Sequence, residues 1–124
     1  MIRIEPLETI GQDERGFTRQ FPLSYFGEAL FGFRKEGSIS GKHYHKGLST
    51  AKDPEILILS SGKMEFYAKD LKSGKETRLE AIAPCRIEID KYVWHELRAL
   101  EDCTFIELNS LKDHQSDTFY TQEV

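Results

Sequence analysis

The segment Gly41-Lys42-His43-Tyr44-His45 is followed, after a stretch of loop-like residues, by Glu55-Ile56-Leu57-Ile58-Leu59 and then by Ser60-Ser61-Gly62-Lys63. A short apolar run that ends at a glycine turn is typical of a buried β-strand leading into a hairpin. Successive side chains of a strand point to opposite faces, so His43 and His45 share one face and Tyr44 lies on the other. This part of the sequence predicts two strands, the first of which presents paired imidazoles.

Short β-rich runs continue in both directions from this segment, with almost no sustained helical period. Glycine turns at Asp13-Glu14-Arg15-Gly16 and Lys72-Ser73-Gly74-Lys75 separate further strand patterns. Strands of such regular spacing are typical of a sandwich or a barrel. We therefore predict one all-β domain over residues 1–111, with residues 112–124 forming a polar C-terminal tail or a swapped edge strand. The predicted strands are Ile2–Leu7, Phe17–Phe21, Leu30–Arg34, Lys42–His45, Glu55–Leu59, Met64–Lys69, Thr77–Ile82, Arg86–Ile89, Val93–Arg98 and Thr104–Leu108.

Composition limits the classes of partner. The 124 residues match a single domain with its own core, and 39% hydrophobic with 31% charged residues is a globular balance. The net charge is −4 and the basic residues are scattered, which argues against a nucleic-acid partner. No apolar run approaches the length of a membrane span, and Met1–Pro6 carries charge where a signal peptide is apolar. We expect a cytoplasmic protein with no membrane partner.

The two cysteines, Cys85 and Cys103, are far apart and lie in apolar strand-like contexts. Neither a thioredoxin-like motif nor a zinc ribbon can be built from them. Buried free thiols are the favoured interpretation, since a disulfide would require neighbouring strands and an oxidising compartment.

The histidines and glycines of the opening segment resemble the first motif of the cupin superfamily, which consists of a glycine, a His-x-His pair, a glutamate, six residues and a glycine. His95 stands where the second cupin motif supplies a further histidine. The resemblance implies a double-stranded β-helix, the cupin jelly-roll barrel. It also implies a divalent transition metal held by three imidazoles and one carboxylate, a donor set that such ions accept. The matching residues are Gly41, His43, His45, Glu55 and Gly62, and the implied ligands are His43, His45, Glu55 and His95.

A second resemblance covers residues 6–110. The order of features is similar to the RmlC-like branch of the cupins, which contains dTDP-4-dehydrorhamnose 3,5-epimerase and the dTDP-sugar 3,4-ketoisomerases. It implies that His43 is a general base with His45 beside it, that Arg15 contacts a substrate phosphate, and that no cofactor is required. The matching segments are Asp13–Phe17, Gly41–Tyr44, Asp70–Gly74 and Val93–His95, with His43–Lys46 similar to the ketoisomerases.

The substrate-binding residues implied by this second resemblance are Arg15, Arg19, Tyr44 and Lys46. Arg15 and Arg19 fall on the same strand face as Phe17, so both arginines point to the same side. Two inward arginines would suit a diphosphate. The alternative is that both lie at the rim and pair with surface carboxylates.

Three functional hypotheses remain open from the sequence. The first is a cupin that binds, and isomerises or epimerises, a nucleotide-linked keto sugar or similar anionic small molecule. The second is a metal-dependent oxygenase or small-molecule sensor that uses His43, His45, Glu55 and His95. The third is a non-enzymatic binding domain. A homodimer is the expected assembly, because barrels of this kind often pair through their sheets.

Overall fold

A computed structural model describes residues 1–120 and shows an almost entirely β architecture. Within that range the chain forms eleven strands and one short helix, which confirms the predicted all-β class. The elements are β1 (Ile2–Pro6), β2 (Glu8–Asp13), β3 (Gly16–Gln20), β4 (Leu30–Arg34), β5 (Ile39–His43), β6 (Glu55–Ser61), β7 (Lys63–Asp70), β8 (Glu76–Ile82), β9 (Cys85–Ile89), β10 (Val93–Ala99), β11 (Cys103–Glu107) and α1 (Leu111–Ser116).

Two antiparallel sheets face each other across one apolar core. The larger sheet has the strand order β1-β9-β6-β11-β4 and the smaller has β5-β10-β7-β8. Every second residue of β7 and β10 points inward, as expected for strands with one wet face. Side chains from both sheets form a single buried cluster that includes Leu57, Leu59, Met64, Phe66, Ile87, Ile89, Val93 and Phe105.

Strand β6 is buried on both faces, which explains its continuous apolar run. Its inward residues join the main core, while Ile56 and Ile58 pack on the opposite side against Leu7 and Leu108. The tight turn to β7 requires Gly62, whose φ is +88° and where a Cβ would lie 2.3 Å from the Asp102 carbonyl oxygen. The glycine turn that the sequence predicted therefore packs closely against Asp102, which precedes β11.

The hairpin of β2 and β3 stands apart from both sheets as a separate two-stranded sheet. The predicted strands Ile2–Leu7 and Phe17–Phe21 are consecutive, with the Asp13–Gly16 turn between them. In the structure β1 instead pairs with β9, with Ile2 opposite Ile89, and an additional strand, β2, pairs with β3. Every residue of β2 is exposed, so it has no apolar alternation that could have revealed it.

The residues after β11 fold back onto the barrel. The Ser110 hydroxyl accepts a hydrogen bond from the Asp113 amide and caps α1. The chain then pairs Phe119 with Tyr44 through two backbone hydrogen bonds of 2.9 Å. The proposed boundary between residues 111 and 112 stays a prediction, and residues 121–124 of the predicted tail lie outside the described residues.

Cys85 and Cys103 are buried free thiols, as predicted. They belong to β9 and β11, which flank β6 on opposite sides and are not neighbours. Burial raises the pKa of the Cys85 thiol to about 11. Among residues 1–120, no helix has the length and hydropathy needed to cross a membrane.

Candidate functional site

Three imidazoles converge inside the barrel. His43 ends β5 and lies opposite His95 of β10, while His45 follows two residues after His43. The ring of His43 lies 4.9 Å from each of the other two, centre to centre, and one ring nitrogen of each residue lies within 4.8 Å of the others. The structure thus brings together the three predicted histidines, two of which, His43 and His45, the strand alternation placed on one face.

A β-bulge shapes this end of β5. Gly41 and Lys42 both have positive φ, +88° and +59°, opposite the register shift between His95 and Glu96. A Cβ on Gly41 would lie 3.0 Å from the His95 carbonyl oxygen, so glycine permits the close approach of the two strands. Bulges re-aim side chains beside functional sites, and this one directs His43 towards His95.

His95 is a buried neutral imidazole. Its Nδ1 lies 2.9 Å from the Val93 carbonyl oxygen. A carbonyl can only accept, so Nδ1 carries the proton and Nε2 keeps its lone pair. Burial lowers the pKa of His95 to about 4 despite the nearby charge of Glu55, so the ring is neutral at pH 7.

His43 is also neutral but is more accessible. It is partly exposed and lines the interior cavity. Burial first, and then the neighbouring His95 and His45, lower the pKa of His43 to about 3. An unprotonated imidazole can accept a proton or bind a metal ion, so His43 could do either.

His45 and Glu55 are in direct contact inside the barrel. The Nδ1 of His45 donates to the Asp117 carbonyl oxygen at 2.6 Å, and its Nε2 lies directly against Oε2 of Glu55. Burial alone would raise the pKa of Glu55, but the adjacent His45 and Lys52 outweigh it and hold that pKa well below its usual value. Glu55 is therefore a carboxylate at neutral pH.

Lys52 also belongs to the site, although no sequence pattern singled it out. Its side chain is 0% exposed, and its ammonium lies 2.8 Å from Oε2 of Glu55. It also donates to Nδ1 of His114 at 3.0 Å. His114, which α1 carries, is half-buried, and the centre of its ring lies 5.6 Å from that of His43. The segment before β6 and the helix after β11 thus both contribute to the site.

A cavity of about 70 Å³ lies beside these groups. Arg34 lines it from β4 and donates from Nε to the Ser40 hydroxyl at 3.1 Å, with its guanidinium 5.1 Å from the centre of the Phe105 ring. Glu107 lines it from β11, where burial and then the charge of Glu55 raise the pKa of Glu107. The further lining residues are Gly41, His43, Glu55, Leu57, Phe66, Ile89, His95, Leu97 and His114.

No protein-family model and no curated protein matches the sequence. Solved structures do match. The sugar 3,4-ketoisomerase QdtA from Thermoanaerobacterium thermosaccharolyticum, in complex with TDP, is 18% identical with a TM-score of 0.75 over 98% of this chain and 89% of that chain. The TDP-quinovose 3,4-ketoisomerase WlaRB from Campylobacter jejuni is 20% identical with a TM-score of 0.75 over 98% and 95%. The dTDP-4-dehydrorhamnose 3,5-epimerase from Sulfolobus tokodaii is 23% identical with a TM-score of 0.66 over 86% and 68%.

The chain has the RmlC-like cupin fold. The predicted double-stranded β-helix is therefore confirmed. The candidate site lies inside this cupin barrel, between the inner faces of the two sheets.

Two predicted substrate ligands lie on the outer hairpin of the cupin. Arg15 is 85% exposed at the β2–β3 turn and pairs with Asp13 at 2.8 Å. Arg19 donates to the Leu7 carbonyl oxygen at 3.0 Å and stacks on Phe17 at 4.6 Å. Neither arginine lines the cavity. The pairing of Arg15 with Asp13 matches the alternative stated above, in which the arginines lie at the rim and pair with surface carboxylates. Their part in ligand binding stays a prediction.

The other two predicted substrate ligands flank the cavity without lining it. Tyr44 is buried and packs against the rings of Tyr92 and Phe119. The ammonium of Lys46 lies 4.2 Å from the centre of the Phe119 ring, and the Lys46 amide donates to Asp117 at 2.8 Å. Both residues hold the returning C-terminal segment in place.

The four predicted metal ligands also converge, with the buried ammonium of Lys52 beside them. Glu55 and the Nε2 of His45 face each other, and Lys52 donates to the same oxygen of Glu55. Nδ1 of His45 donates to the Asp117 carbonyl oxygen, so this ring can offer a lone pair only from Nε2, the atom that faces Glu55. A metal ion held by these four residues would therefore lie close to the Lys52 ammonium.

Four residues of the site were missed by the sequence interpretation. Arg34 and Glu107 each lie an even number of residues from inward neighbours on β4 and β11, so strand alternation could have found both. Lys52 and His114 lie in a loop and in a short helix, where no periodic signal exists. Only the fold brings them to the barrel interior.

The pKa of His95 predicts how acid affects stability. The pKa of His95 is about 4 in the folded protein, below its usual 6.5, so the unfolded chain binds a proton more readily. The contribution of His95 to stability is therefore present above pH 6.5 and is lost as the pH falls towards 4. Between pH 6.5 and pH 5 we expect His95 alone to cost roughly 2 kcal/mol of unfolding free energy. Urea unfolding at several pH values should show a shallower acid loss in His95→Gln. Equal losses in the variant and the wild type would contradict this assignment.

Proposed function

We propose that this cupin binds a nucleotide-linked keto sugar, or a similar anionic small molecule, and moves a proton on the carbon next to its keto group. The observation that carries the proposal is a cavity lined by a neutral histidine, His43, and by the cation Arg34 inside an RmlC-like barrel. Structural neighbours are named as TDP-sugar ketoisomerases and epimerases, which supports the choice of ligand class.

His43 is the proposed base, because abstracting a proton requires an unprotonated nitrogen that can reach the ligand. Its low pKa keeps it neutral at pH 7, and it lines the cavity. When His43 takes the proton, the new imidazolium lies beside the enolate and near Glu55, and both charges favour it. His45, paired with Glu55, acts as its neighbour and not as a second base.

Arg34 is the proposed partner of the developing oxyanion. Its guanidinium is permanently charged and offers several N–H donors, of which Nε is bonded to Ser40 and Nη1 to the Phe33 carbonyl oxygen. A cation held inside a mostly apolar barrel stabilises a nearby negative charge more strongly than it would in water. In this proposal Arg34 stabilises the oxyanion without a cofactor.

The cavity admits only part of such a ligand. Its volume of about 70 Å³ is well below the roughly 300–1,000 Å³ of pockets that enclose a whole small ligand, so only the reacting edge of a sugar can enter. The nucleotide then lies outside the barrel. Arg15 and Arg19 remain in the proposal as ligands of its phosphates.

Replacing His43 tests the proposed function. With dTDP-4-keto-6-deoxyglucose in deuterated water, we expect the wild type to exchange a proton next to the keto group for deuterium. We expect His43→Asn to slow that exchange by about 10²–10⁴-fold, because the base is lost. Arg78→Ala, an exposed arginine on β8, is the control and should exchange at the wild-type rate. If no member of a panel of dTDP- and UDP-linked sugars binds or exchanges, the proposal fails.

The metal-dependent oxygenase or sensor is supported by the convergence of His43, His45 and His95. It is opposed by the contacts of Glu55, which lies against both His45 and Lys52. A non-enzymatic binding domain would use the same cavity without proton exchange. The deuterium experiment separates this third hypothesis from the first.

We also propose a homodimer formed through the outer face of β4. This strand is at the edge of the larger sheet, and Phe31 and Phe33 on its outer face are 73% and 55% exposed. Exposed aromatic residues on an edge strand mark an association surface. A second copy of the chain is the proposed occupant, since an edge strand can pair with its own symmetry mate.

Sedimentation velocity tests the proposed dimer. The wild type should sediment as a dimer at micromolar concentration, and Phe31→Glu should shift it to a monomer, because a charge would be buried at the interface. Ile82→Glu, which changes an exposed apolar residue on β8, should leave the dimer intact. A monomeric wild type, or a dimer that persists in Phe31→Glu and Phe33→Glu, would contradict this interface.

A further inference from the structure

We propose that Lys52 is the resident cation of this barrel, and that its ammonium takes the place of a divalent metal ion as the counter-charge to Glu55. The wild-type protein then binds no divalent transition metal at His43, His45 and His95, although these imidazoles converge. Removing the Lys52 side chain should convert the cluster into a metal site. This inference is independent of the sugar-nucleotide proposal.

The side chain of Lys52 is held in one position by its contacts, unlike that of a flexible surface lysine. The side chain is completely buried, and Nζ lies 2.8 Å from Oε2 of Glu55 and 3.0 Å from Nδ1 of His114. Its backbone is also fixed, because its amide donates to the Ser49 carbonyl oxygen at 3.0 Å and Lys52 forms a β-bridge with Glu55. The ammonium therefore has little freedom to leave the cluster.

The ammonium competes with a metal ion for the same donors. The Glu55 oxygen that Lys52 binds also faces Nε2 of His45, so two of the four predicted ligands are already engaged. A metal ion bound by His43 and His95 would lie close to a buried positive charge. Repulsion between like charges is strong where water is excluded.

The same cluster without Lys52 would have a donor set that transition metals prefer. Three imidazoles and the carboxylate of Glu55 would remain, with Glu107 lining the same cavity and its Oε2 lacking a hydrogen-bond partner among the described residues. Mixed imidazole and carboxylate donors suit cobalt and zinc. Glu55, buried and without its counter-cation, would favour a bound cation strongly.

Cobalt titration tests the inference. Protein purified without chelator or affinity tag is mixed with Co²⁺, while visible ligand-field absorption and thermal unfolding are followed. The wild type should show neither absorption nor a rise in Tm. Lys52→Ala should bind one Co²⁺ per chain with visible absorption and a Tm rise of several degrees. Lys91→Ala, which removes a surface lysine paired with Asp53, should behave as the wild type.

Two further variants keep the test decisive. Adding His95→Gln to Lys52→Ala should abolish the absorption, which places the bound ion at this cluster. If Lys52→Ala fails to fold without metal, Lys52→Met retains the apolar stem and removes only the charge. The inference is overturned if the wild type binds one Co²⁺ with absorption that His95→Gln removes, or if folded Lys52 variants bind none.

Discussion

The ion pair between Lys52 and Glu55 is the contact on which the rest of the site depends. Both groups are almost fully buried, and an isolated buried charge of either sign would be strongly destabilising. The adjacent His45 and then Lys52 hold the pKa of Glu55 well below its usual value, and the resulting carboxylate lies against Nε2 of His45. His43 and His95 then remain the neutral imidazoles of the cluster.

Asp117 connects this pair to the fold. Its side chain is completely buried and accepts the amides of Lys46 at 2.8 Å and Ser49 at 3.1 Å, while its carbonyl oxygen accepts from His45. The long loop that carries Lys52 is thereby tied to Asp117 at the end of α1, the helix that supplies His114. A loop and a C-terminal segment that look dispensable in the sequence thus complete the interior of the cupin barrel.

The sequence predicted those parts of the molecule that follow a period. Strand alternation placed His43 and His45 on one face, and the apolar run after Glu55 predicted the central strand β6, while His95 was found through the resemblance to the cupin motifs. The same logic failed where no period exists. The exposed strand β2 carries no apolar alternation, Lys52 lies in a loop, and the burial of His114 depends on how α1 docks. Charge pairing across long sequence separations has no local signature.

The protonation states of the four histidines test this account most directly. A pH titration of the histidine side chains by ¹⁵N-edited NMR should find His95 neutral at pH 7 with its proton on Nδ1. His43 and His95 should then remain unprotonated as the pH falls from 7 to 5, because their pKa values are about 3 and about 4. Titration of His43 or His95 near pH 6.5, or a proton on Nε2 of His95, would contradict the account.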